Sequence, residues 1–205
     1  MIGIGLAVAV LSVVLSVVNG FDYELRQRIL AIASHAGISG VYEPLQDWEM
    51  LRARVLQRPD VTGAAPFVEG QGLVIYGDIP AGVEVLGIDP DLEPEVSRLD
   101  ELLQSGSLRA LEPGSYRMLV GSSLASELGI GVGDSLVLVI AEGRVTPAGV
   151  IPRMRRFEVA GIFEAGMYEY DRGLVYISMA DAARLYRTSG RPHGLRMSVR
   201  DIFAA

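Results

Sequence analysis

Residues able to do covalent chemistry are sparse in this sequence. The two histidines, His35 and His193, lie far apart in the chain, and a shared metal or a general base would need the fold to unite them. All 18 basic residues are Arg. The lysine of a phosphate-binding loop and Schiff-base chemistry are therefore excluded. There is no Cys, hence no disulfide framework and no thiolate metal site. Two glycine-rich stretches resemble phosphate loops only superficially. GIGLAVAV, residues 3–10, lacks the GK[ST] ending, and GIGVGD, residues 129–134, reads as a turn between a helix and a strand. Neither a G-x-S-x-G elbow nor an H-E-x-x-H pair occurs. Glu164, Glu169, Asp171 and Asp181 have no base to pair with and read as a solvated surface. No catalytic residue, metal site or cofactor is expected.

The stretch that says most about function is an arm over residues 142–156. It carries Pro147 and Pro152, with apolar Val150 and Ile151 between them, flanked by Arg144, Arg153, Arg155 and Arg156. Proline stiffens an exposed arm and removes a backbone donor. Apolar residues at its tip suit a partner better than water, and arginines can pair with that partner's carboxylates. A connection this long inside a compact domain reads as a protein-docking finger.

The elements that must hold this arm follow from the pattern of apolar residues. Ile2 to Val18 is an unbroken uncharged run, at the short end of the roughly 17–25 residues a spanning helix needs. No basic residues precede it, as they would in a signal peptide. The missing flank also suggests a chain cut from a longer one. Beyond Asn19-Gly20, the residues Phe21, Leu25, Ile29 and Ile32 recur at helical spacing among charges, which predicts an amphipathic stalk. The expected layout is a transmembrane helix over 1–20, a stalk over 21–38 and an outer domain over 39–205.

Within that domain the patterning predicts strands at Ile38–Tyr42, Val61–Val68, Gly72–Tyr76, Val83–Ile88, Arg117–Val120, Ser135–Ala141, Arg156–Phe163, Leu174–Ile177 and Leu195–Val199. It predicts helices at Asp47–Gln57 and Glu95–Gln104. Two more are expected, one from a Ser122 or Ser123 cap to Gly129 and one over Met179–Arg187. Strands and short helices interleaved around a long hairpin make the fold class mixed α+β. The net charge of -7 and pI of about 4.9 exclude a nucleic-acid partner, since an acidic surface repels phosphate.

Several segments, taken in order, carry a resemblance. VLSVVNGFDYELRQRIL, GIDP at Gly87–Pro90, LEPGSY at Leu111–Tyr116, TPAGVIP at Thr146–Pro152, RRFEVAGIF and VYISMADAARL together resemble the lipoprotein-releasing ABC transporter permeases of the LolC/LolE type. The resemblance spans nearly the whole chain and rests on the order and spacing of motifs. It implies an inner-membrane protein whose periplasmic domain is similar to that of macrolide-exporter permeases. The implied function is to extract lipoproteins from the membrane and pass them to a soluble periplasmic carrier (LolA type). A separate cytoplasmic ATPase (LolD type) and a second permease subunit, or a second copy, complete the machine. It further implies that Thr146, Pro147, Ala148, Gly149, Val150, Ile151 and Pro152 form the hook that recruits the carrier, with Arg155 behind it. Departures stand at Ile140, where the hook usually opens with proline, at Ala148 for an apolar Met, at Leu136 for a basic residue and at Met154 for Gln. The tail GLRMSVRDIFAA looks more like the LolE branch, so a hybrid, homodimeric LolF type is a further expectation. Phe21, Leu25 and Ile29 are expected either at the mouth of a lipid cavity or packed on a neighbouring helix. Two other readings are a related permease of efflux or cell-division signalling, and a membrane-anchored enzyme. The empty catalytic census opposes the latter.

Overall fold

The computed structural model describes residues 3, 5, 10–20, 36–40, 44–146 and 149–200, with the backbone alone over 141–151. Residues 10–20 are helical (α1), with every side chain exposed. Among the described residues no helix is long and apolar enough to cross a membrane. The stalk residues Phe21, Leu25 and Ile29 lie outside the described residues. The remaining elements are β1 (Ala36–Ser39), α2 (Trp48–Val55), β2 (Val61–Tyr76), β3 (Ile79–Ile88), β4 (Leu103–Gly106), β5 (Arg117–Gly121), α3 (Ser122–Leu128), β6 (Ser135–Thr146), β7 (Gly149–Phe163), α4 (Tyr168–Gly173), β8 (Leu174–Ser178), α5 (Met179–Leu185) and β9 (Gly194–Val199).

The pairing closes on itself. β2 pairs with β3, β3 with β8, β8 with β5, β5 with β7, β7 with β6, and β6 returns to β2. Strand alternation explains why a ring is stable here. Val74, Val85, Ile177, Val120, Val159 and Leu138 send their side chains to one cluster on the inner face, plugged by Leu124 of α3 and Ala182 of α5. The intervening residues Leu86, Leu119 and Tyr176 face outward into a second cluster. Leu99, Leu108 and Leu111 from the segment after β3 cover it. β9 extends the sheet beside the first half of β2, and β1 lies beyond it.

The mixed α+β class therefore holds. β1 at Ala36–Ser39 lies earlier than the expected Ile38–Tyr42, α4 at Tyr168–Gly173 has no counterpart in the expected set, and four further local differences stand out. Val61–Tyr76 is one strand and not two, because ten consecutive residues of β2 pair with β3. Its glycines are needed where neighbours close in: a Cβ on Gly72 would meet Leu138 Cδ1 at 2.8 Å. The helix expected over Glu95–Gln104 is absent. Short 3-10 turns stand there, and Leu103–Gly106 is instead drawn out as β4 against Gly161–Phe163. α3 is capped by Gly121, without a serine side chain, although Gly129 ends it in the left-handed conformation (φ 67) as expected.

The fourth difference concerns the acidic residues. Asp171 and Asp181 are buried, not solvated. Asp171 accepts hydrogen bonds from the amides of Ala165 (2.6 Å) and Gly166 (3.1 Å). It thereby satisfies backbone donors that no sheet or helix partner reaches. Asp171→Ala should lower the unfolding free energy by about 1–3 kcal/mol, the cost of orphaned buried donors, read as a lower urea midpoint. An unchanged midpoint would show that water replaces the carboxylate there.

Candidate partner-docking arm

The arm is the continuation of β6 and β7 past the ring. Ile140 pairs with Arg153, and further out Arg144 pairs with Ile151, Val145 with Val150 and Thr146 with Gly149. Between Ile140 and Arg144 the register shifts: β6 advances four residues while β7 advances two. Such a bulge bends a hairpin and re-aims it. Among the described residues no other strand pairs with 141–146 or 149–152. The expected strands thus run on into the arm, and what reads as a loop in sequence is paired backbone almost to its end. Thr146, Gly149, Val150 and Ile151 sit on that paired backbone, while Pro147 and Ala148 lie outside the described residues. Pro152 is exposed near the base.

Arg155 does not point freely outward toward a partner. Its guanidinium carbon lies 4.0 Å from the centroid of the Tyr116 ring, in cation–π geometry. Tyr116 in turn meets Phe157 edge-on at 5.7 Å. Ile140 and Leu136 are both buried in the inner cluster. The departures at those two positions therefore alter core packing, not a contact surface. Met154 is the opposite case, at 65% exposure.

Met154 belongs to a feature that sequence reading missed. Leu73 of β2 pairs with Val139 of β6, and Val139 pairs with Met154 of β7. The three side chains form an apolar row across the outer face at the foot of the arm, with Leu73 itself 45% exposed. Ile75 and Val137 pair in the next row. No single strand signals this, because each shows only ordinary alternation. The register alone aligns the outward residues. A contiguous exposed apolar row beside a rigid hairpin is a surface suited to a protein partner.

The remaining chemistry-bearing residues are structural. His193 accepts a hydrogen bond from the Glu69 amide through Nδ1 at 3.2 Å, and its own amide donates to the Phe67 carbonyl at 2.8 Å. His35 lies outside the described residues. Among the described residues, Glu164 and Glu169 meet no basic partner that would make an acid–base pair: Glu164 accepts from Gln104, and Glu169 stands in the first turn of α4. Glu93 and Arg196 form an ion pair in which both partners are buried. Ser97 also donates to Glu93, at 2.6 Å. Burial raises the Glu93 carboxyl above its ordinary range, against the opposing pull of Arg196.

Comparison with known proteins agrees with this architecture. The lipoprotein-releasing system transmembrane protein LolC of Xylella fastidiosa (strain 9a5c) is 40% identical over 201 residues, covering 98% of this chain and 48% of that protein. LolC of Neisseria meningitidis serogroup B is 38% identical over 199 residues, covering 97% and 48%. The chain thus spans about half the length of these curated relatives. In fold it is similar to the periplasmic region of MacB from Actinobacillus actinomycetemcomitans, with a TM-score of 0.51 and 10% identity over 80% of this chain and 67% of that one. The model of the MacB-like periplasmic core domain matches residues 1–202. By sequence and by fold, the chain belongs to the MacB-like periplasmic core domain family.

Proposed function

We propose that this chain is part of a permease subunit of an ABC transporter. The transporter extracts lipoproteins from the inner membrane and passes them to a soluble periplasmic carrier. The observation that carries the reading is the arm: a bulged hairpin bearing TPAGVIP that leaves the ring beside an exposed apolar row. Relatives named for lipoprotein release support it. The carrier docks on the end of the arm, residues 146–152, and on the face around Arg155. α1 supports a membrane setting. Val10, Leu11, Val13, Val14, Leu15, Val17 and Val18 are each more than half exposed, a cost in water that lipid removes. In this reading residues 1–20 are membrane-embedded, the stalk that carries motion outward ends before β1 (Ala36–Ser39), and the domain from β1 onward acts in the periplasm. Phe21, Leu25 and Ile29 face the lipoprotein's acyl chains at the membrane surface. A separate ATPase subunit supplies the energy, and a second permease subunit or a second copy completes the membrane unit.

Proteoliposomes containing the full-length protein, its permease partner and its ATPase test the proposal. Release of a lipid-modified lipoprotein into the soluble fraction is expected only when ATP and carrier are both present. Full ATP turnover without any release would assign the chain to another pathway.

A further inference from the structure

The arm is gripped at its base from two sides by one short helix, α5. At that helix's C-terminus, Arg153 Nη1 donates to the carbonyl of Leu185, a group left without an intrahelical partner and at the negative end of the helix. At its N-terminal turn, Asp181 is fully buried. It accepts from the amides of Gly114 (3.0 Å) and Tyr116 (3.3 Å). The Tyr116 ring then carries Arg155 at 4.0 Å. Arg153 and Arg155 are alternate residues of β7, at the point where the arm leaves the ring. The β6 bulge begins opposite Arg153.

This grip is not optimised for stability alone. Among the described residues, Arg153 Nε and Thr188 Oγ1 are buried without a hydrogen-bond partner. Arg187 (φ 54) and Ser189 (φ 58), just past α5, are non-glycine residues in the left-handed region. Unpaired donors and backbone strain at a single junction are features that a purely structural joint would shed.

We infer that Arg153 and Tyr116 are positioning residues: together with Asp181 and the C-terminus of α5 they set the direction in which the arm projects. Among the described residues, strand pairing of the hairpin beyond Ile140 is confined to its own ladder, so without these anchors the bulge is a hinge. A docking arm held in one direction associates faster than one that samples many. The inference about orientation stands on the contacts alone, and its effect on carrier capture rests on the proposed function.

The test uses the full-length protein. This chain contains no Cys, so spin labels at Thr146→Cys on the arm and Ser126→Cys on α3 report one distance, with any cysteine elsewhere in the protein replaced by Ser. A narrow distribution is expected, at least doubling in width in Arg153→Ala and in Arg155→Ala, and largely restored in Arg153→Lys, which keeps one donor. Arg155 is exposed, so its variant isolates the ring contact without a folding defect. Association with the carrier should slow roughly 10-fold in Arg153→Ala, whose residue lies outside the proposed carrier face. An equally narrow distribution in both alanine variants overturns the inference. Widening with unchanged carrier association keeps the positioning role and removes the carrier reading.

Discussion

Replacing residues 144–152 by a four-residue Gly-Ser turn should weaken carrier binding by the full-length protein by about 100-fold or more. A few anchors at the centre of an interface carry most of its energy. The arm is the only described part of the domain whose two strands pair with nothing but each other. Its removal therefore takes away a contact surface without breaking a pairing of the ring, and leaves Arg153 on the carbonyl of Leu185. The thermal midpoint should stay within a few degrees of the parent, and ATP turnover should persist. Binding by surface plasmon resonance separates the outcomes. Loss of binding at constant stability identifies the arm as the docking element. Retained affinity would move the contact to the apolar row of Leu73, Val139 and Met154. A charge placed there, such as Met154→Glu, would then be the variant that abolishes binding.

Arg196→Met alone should destabilise the domain by about 3–5 kcal/mol, because Glu93 is left as an uncompensated buried charge. Arg196 and Glu93 are both almost wholly buried, and Arg196 also lies over the Phe67 ring at 5.9 Å. Adding Glu93→Met should recover most of the loss, since well-packed apolar side chains often replace a buried ion pair at little or no cost. The pair then acts as a register device. It ties β9 to the segment after β3 across 103 residues. The pH dependence has a defined sign. Burial raises the folded-state Glu93 carboxyl, so the folded protein binds its proton more readily than the unfolded chain does. The stability tied to that proton is fully present below the unfolded carboxylate range and is lost as pH rises through the higher folded value. Relative to the double Met variant, which has no such titration, the parent should lose stability as pH rises across that window. Parallel curves from urea titrations at several pH values would show that Glu93 is not perturbed.

Local order was legible from residues alone. The segments expected as strands at Leu174–Ile177 and Leu195–Val199 form β8 and β9 almost to the residue, and Gly129 ends its helix. The two halves of the hairpin were readable too, because period-2 alternation and a proline-marked turn are properties of neighbours in the chain. Tertiary structure decided what depends on surfaces far apart in sequence. Pairing with β3 carried β2 through Gly70 and Gly72, and pairing with β7 drew Leu103 and Gln104 out of the expected helix into edge strand β4. Return of β6 to β2 closed the ring and lined up Leu73, Val139 and Met154. The same long-range folding buried Asp181 against the backbone amides of Gly114 and Tyr116 and set Arg155 on Tyr116. A charge in sequence reads as solvated because most are. Only the position of distant unpaired donors and rings determines which few are drawn inside.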